Sequence, residues 1–81
     1  MRLTVKAKRE MSHLGFGLDE QDVSDLLMEL RGQDFAARLV SAKTGEWLYV
    51  FKPVMAGATL YVKLVIREEC VVVSFHEDEG D

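Results

Sequence analysis

The last third of the chain constrains the fold most. Ala58 to Arg67 and Cys70 to His76 are two apolar, β-branched runs, separated by Glu68 and Glu69. Such runs with a short polar step between them read as a hairpin. With Glu68 and Glu69 as a two-residue loop, Arg67 faces Cys70, Ile66 faces Val71, Leu64 faces Val73 and Val62 faces Phe75. Leu60 extends the apolar Ile66–Leu64–Val62 face. A slip of one residue would turn that whole set to the other side, so the pattern argues for this register. The opposite face then pairs Tyr61 with His76, Lys63 with Ser74 and Val65 with Val72. An isolated hairpin is marginal in water, so further strands and a covering layer are expected.

Both are legible upstream. Ala56-Gly57 as a two-residue loop sets Phe51 opposite Val62, Tyr49 opposite Leu64 and Trp47 opposite Ile66, which adds aromatics to the core face. Lys52 then faces Tyr61, so Lys52, Tyr61 and His76 form one row with Lys63 two residues along. Phe35 to Ser41 is the remaining expected strand, followed by a Lys43-Thr44-Gly45 turn. In the first third, Thr4 is an N-cap for a helix over Val5 to His13. Leu3, Ala7, Met11 and Leu14 line one face of it, and Gly15 and Gly17 stop it. Asp19 caps a second helix, with Asp22 in its first turn. Val23, Leu26, Leu27 and Leu30 form its apolar stripe, and Gly32 ends the element. The expected class is α+β: two N-terminal helices packed on one face of a four-stranded antiparallel sheet.

Length and charge bound what this fold can do. Eighty-one residues make one domain, expected over 1–76. The last five, rich in Glu and Asp, are expected to be a disordered acidic tail. One cysteine, Cys70, excludes an intrachain disulfide and an all-cysteine metal site, and reads as a structural thiol. The glycines fit turns, with no phosphate loop and no metal motif, so no cofactor is expected. No apolar run approaches the roughly 18 residues of a membrane span. The first ten residues carry charges where a signal peptide needs an apolar stretch, so the chain is expected to be cytoplasmic. The net charge of −4 argues against a simple nucleic-acid binder. Its distribution does not, because residues 1–9 and 35–67 each carry +4 while 10–34 and 68–81 each carry −6. That layout predicts a local basic strip on the sheet.

The row of Lys52, Tyr61 and His76 suits cleavage of an RNA phosphodiester without a metal. In such a reaction the 2′-hydroxyl attacks the adjacent phosphate. A base takes the hydroxyl proton, an acid protonates the leaving 5′-oxygen, and a cation holds the charged phosphorane. His76 is the candidate acid or base, because an imidazole with a pKa of about 6.5 serves either role near neutrality. Lys52 and Lys63 are candidate phosphate clamps. Arg38 is a candidate for a bidentate phosphate contact, and Lys43 adds to the basic set. Tyr61 is placed to orient the phosphate or stack on a base. A cross-strand Tyr–His pair is also common on solvated sheets with no function at all. His13, at a helix end, reads as a dipole partner, and Trp47, Tyr49 and Phe51 read as core.

The order Asp34-Phe35, Trp47, Phe51-Lys52-Pro53, Gly57, Tyr61-Val62-Lys63 and Val73-Ser74-Phe75, with Leu14-Gly15-Phe16 ahead of it, resembles the MqsR family of toxins. The resemblance covers roughly residues 10–76. It implies a RelE-like fold and a messenger-RNA interferase of a type II toxin–antitoxin pair, independent of metal and ribosome. It also implies an MqsA-like antitoxin partner with a zinc-binding domain and a helix-turn-helix domain, the zinc belonging to that partner. The family's active-site tyrosine falls on Tyr61, its C-terminal catalytic lysine on His76, and its basic residue before proline on Lys52. A second active-site lysine falls on Ala37 and an active-site glutamine on Leu48, so this chain departs from the pattern at both. A non-catalytic module that keeps the fold and binds an antitoxin-like partner is the alternative expectation.

Overall fold

The computed structural model describes residues 1–79. Along the chain run β1 (Arg2–Leu3), α1 (Val5–Leu14), α2 (Glu20–Glu29), a 3-10 turn (Gly32–Asp34), β2 (Phe35–Val40), β3 (Trp47–Phe51), β4 (Val54–Met55), β5 (Ala58–Ile66) and β6 (Cys70–Glu77). The class is α+β as expected, consistent with a RelE-like toxin fold, but the sheet has six strands among the described residues, not four. The two extra strands, β1 and β4, span two residues each, too few for alternation to show in the sequence. The strand order is β1-β6-β5-β3-β2, with β4 pairing β5. β1 runs parallel to β6, so the sheet is mixed and not purely antiparallel.

Local chemistry explains both helices. The Thr4 hydroxyl accepts the Ala7 N–H at 3.1 Å and starts α1. Gly15, at φ 73°, ends it in the left-handed region that a side chain disfavours. Asp19 and Asp22 exchange bonds at the start of α2, each carboxylate accepting the other's backbone N–H at 2.9 Å. The inward faces of the helices, Ala7 and Val23 with Met11, Leu14, Leu26, Leu27 and Leu30 around them, pack on Leu60, Val62, Leu64, Val72 and Phe75 of the sheet. Leu3 joins this core from β1.

The β3–β5 register is as expected, with Phe51 opposite Val62 and Tyr49 opposite Leu64. The β5–β6 register holds at Tyr61–His76, Val62–Phe75 and Lys63–Ser74. Nearer the tip it differs: Leu64 faces Val72, Val65 faces Val71 and Ile66 faces Cys70. The loop spans Arg67, Glu68 and Glu69, and a β-bulge at Val73 absorbs the extra residue. Val71, Val72 and Val73 are alike, so apolar alternation carries no register information there. Trp47, expected in the core, is 47% exposed. The expected tail begins inside the structure. Glu77 closes β6, and the Asp78 N–H donates to the Thr59 carbonyl at 2.8 Å. Its last two residues, Gly80 and Asp81, lie outside the described residues. Among the described residues no helix is long and apolar enough to cross a membrane.

Candidate active site

β5 and β6 set Tyr61 and His76 directly opposite each other on the face away from the helices. Their rings stack, centroids 4.9 Å apart and planes inclined by 11°. Lys63 lies two residues along the same face, its ammonium 5.8 Å from the Tyr61 ring centroid, within cation–π range. The His76 Nδ1 lies 2.8 Å from the Glu77 carbonyl. A carbonyl oxygen only accepts, so Nδ1 carries a proton and Nε2 is left to exchange one. The side chain is one-third exposed, open enough for a substrate to reach it.

Two residues at this site come from α1 and were not singled out from the sequence: Glu10 and Lys6. Glu10 Oε1 accepts the Phe75 backbone N–H at 3.1 Å. Its Oε2 meets the Lys6 ammonium at 3.1 Å and stands 4.0 Å from His76 Nε2. Partial burial acts to raise the Glu10 pKa, but the Phe75 N–H, the Lys6 ammonium and His76 outweigh it and hold the carboxyl below its ordinary value. Lys6 also donates to Ser74 Oγ at 3.0 Å, and Ser74 is buried. The Lys6–Glu10 spacing is visible in the sequence as an ordinary helical pair. Its placement against β6 follows from the parallel β1 pairing, which the sequence does not signal.

Beside this cluster runs a groove of about 440 Å³ lined by Lys6, Lys43, Lys63, Leu48, Ser74 and Arg67, among others. It brings two of the sequence-derived cations, Lys43 and Lys63, into one basic strip. Arg67 is bound across it: Nε and Nη2 donate to the two Glu46 oxygens at 2.8 and 2.7 Å. The Arg67 hydrogen bonds hold the Glu46 carboxyl down to about 2. Lys52 continues the β3–β5 register opposite Tyr61, as the Leu60 N–H to Pro53 carbonyl bond of 2.8 Å requires. Its ammonium pairs with Asp78 Oδ2 at 3.4 Å.

Arg38 is not brought to this site. It faces Tyr49, whose side lies toward the helices, and its guanidinium stacks 4.1 Å over the Trp47 ring. The physical reason is strand parity: its neighbour Ala37 faces Val50 and takes the His76 side instead. Leu48, opposite Val65, lies on that side too. Cys70 lies at the far end of β6, its thiol pushed up by burial. It lines an apolar groove of about 490 Å³ with Leu27, Met28, Tyr49 and Ile66, on the helix side of the sheet.

No curated protein and no solved structure matches the chain significantly. A family model does, the one described as motility quorum-sensing regulator, toxin of MqsA, and it covers residues 1–77. That span takes in every side chain of the site except Asp78. The chain belongs to the MqsR toxin family, toxins whose antitoxin is MqsA.

Proposed function

We propose that this chain is a metal-independent endoribonuclease that cleaves messenger RNA and is held in check by an MqsA-like antitoxin. The observation that carries the reading is the Tyr61–His76 stack with Lys63 beside it, Lys63 being the residue that links the stack to the Lys6–Lys43–Lys63 groove, while His76 lines a neighbouring pocket with Glu10, His13 and Asp78. A single RNA strand lies along the groove with its phosphates on the lysines, a contact that needs no base sequence. The 2′-hydroxyl of one nucleotide attacks the next phosphorus, the P–O5′ bond breaks, and a 2′,3′-cyclic phosphate forms. Lys63 stabilises the phosphorane charge. His76 Nε2, free of a proton while Nδ1 holds one, takes the 2′-hydroxyl proton as attack begins, and the imidazolium so formed returns it to the departing 5′-oxygen. The Tyr61 face holds the imidazole flat and its hydroxyl orients the phosphate. Lys52 reaches a phosphate when it leaves Asp78. Arg38, on the other side of the sheet, has no part in this mechanism.

The test is cleavage of naked RNA by the purified, partner-free chain in the presence of a chelator, with product ends mapped. The wild type is expected to leave 2′,3′-cyclic phosphates, and His76→Ala to lose about 100-fold or more in rate. Undiminished cutting by His76→Ala would remove the mechanism. A second reading is a non-catalytic module that binds an antitoxin-like partner. The apolar Ala37 and Leu48 favour it, because both lie on the His76 side of the sheet. No cleavage together with tight binding of the antitoxin would select it.

A further inference from the structure

We infer that Glu10 is the positioning residue for His76, clamping the imidazole against Tyr61 from the Nε2 side. The catalytic part of this inference rests on the nuclease reading; the placement of the ring does not.

His76 is held on three sides. Tyr61 covers one ring face, the Glu77 carbonyl takes the Nδ1 proton, and Glu10 stands 4.0 Å from Nε2, where it attracts the ring when Nε2 also holds a proton. Without Glu10 the Nε2 edge has no partner from α1, and the ring is tethered at Nδ1 and by stacking alone. A simpler role for Glu10 is to cap the exposed edge of β6, where β1 has already ended and the Phe75 N–H needs an acceptor. One oxygen, Oε1, does that. The second oxygen is turned to Lys6 and His76, and an edge cap does not require it. Lys6 in turn is fixed by Ser74, so the carboxylate is held from both the helix and the strand.

The position of α1 makes this arrangement rigid. The Thr4 N–H bonds the Val72 carbonyl at 3.0 Å and the Thr4 hydroxyl caps the helix, so α1 leaves β6 at a fixed angle. The first turns of α1 then deliver Lys6 and Glu10 to Ser74, Phe75 and His76 in order. A carboxylate only 24% exposed acts on a neighbouring proton more strongly than it would in bulk water.

Glu10→Gln tests this, because glutamine keeps an oxygen for the Phe75 N–H and loses the charge. The kcat for RNA cleavage is expected to fall about tenfold with KM within about twofold. In a His76→Ala chain the same change is expected to have no further effect. Independently of activity, the His76 ring-proton signals, displaced by the Tyr61 ring current, are expected to move toward those of an unstacked histidine. Glu10→Asp, which withdraws the carboxylate by one methylene, is expected to move them the same way by less. Unmoved ring signals in either folded variant overturn the inference, whatever happens to cleavage. A wild-type chain that leaves RNA intact overturns the nuclease reading, while the ring signals still decide the placement.

Discussion

Lys52 and Asp78 form an ion pair at 3.4 Å, with Asp78 the more buried partner. An acid therefore occupies the cation that would otherwise take a phosphate. Asp78→Asn is expected to tighten single-stranded RNA binding about threefold and to steepen its log–log salt dependence by about 0.7, one phosphate contact. Salt-titrated fluorescence anisotropy reads both. Adding Lys52→Ala should cancel the gain, and a gain that survives it would place the effect elsewhere.

Tyr61 is assigned two separable roles. Tyr61→Ala removes the ring on which His76 lies and is expected to lower kcat by about 100-fold. Tyr61→Phe keeps the stack and removes only the hydroxyl, with an expected loss of about tenfold. Equal losses in the two variants would show that the stack contributes nothing of its own.

The basic groove and the opposite face make contrasting expectations. Lys63→Ala is expected to weaken RNA binding about tenfold and lower kcat as well, since its ammonium serves both steps. Arg38→Ala should leave binding and cleavage within about twofold, because it stacks on Trp47 across the sheet. Parallel binding and single-turnover measurements on the two variants decide between the faces.

The Glu46–Arg67 pair ties the β2–β3 loop to the β5–β6 tip through two parallel hydrogen bonds. The Arg67 hydrogen bonds lower the Glu46 carboxyl from an ordinary value of 4.5 to about 2. A depressed carboxyl contributes stability that is fully present above the ordinary value and is lost as pH falls through the folded one. The contribution should therefore fade between pH 4.5 and about 2. Comparing acid unfolding of the wild type with Glu46→Gln isolates this step, and the variant should lack it.

The β4–β5 loop holds Ala56 at φ 52° beside Gly57 at φ 79°. Both central residues are left-handed, which suits Asn-Gly far better than Ala-Gly. Ala56→Asn is expected to raise stability by about 1 kcal/mol, read from denaturant midpoints. Phe75→Ala, at a fully buried site, should lower it by about 3–5 kcal/mol.

Much of the site was readable before the structure. Tyr61, Lys63, Ser74 and His76 fall where apolar alternation places them, since Val62 and Phe75 must share the buried face; the expected two-residue loop is one residue too short, and the bulge at Val73 restores the register. The caps Thr4 and Asp19 were readable because their chemistry is local. Glu10 and Lys6 were not, because a two-residue parallel strand directs α1 and leaves no periodic mark. Arg38 was open for a related reason. Its face depends on the β2–β3 pairing, which carries an irregularity between Phe35 and Ala37. The Val71–Val73 run hid the bulge, since any register of three valines buries equally well.

That bulge lies between the hairpin tip and the stacked pair. The one-residue offset of the tip is taken up at Val73, so from Ser74 onward β6 keeps the register that aligns Lys63, Tyr61 and His76. Arg67 is held by Glu46 and Glu69 by Arg2, so variation at this end of the molecule falls on Glu68, while the chemistry further along the hairpin keeps its geometry.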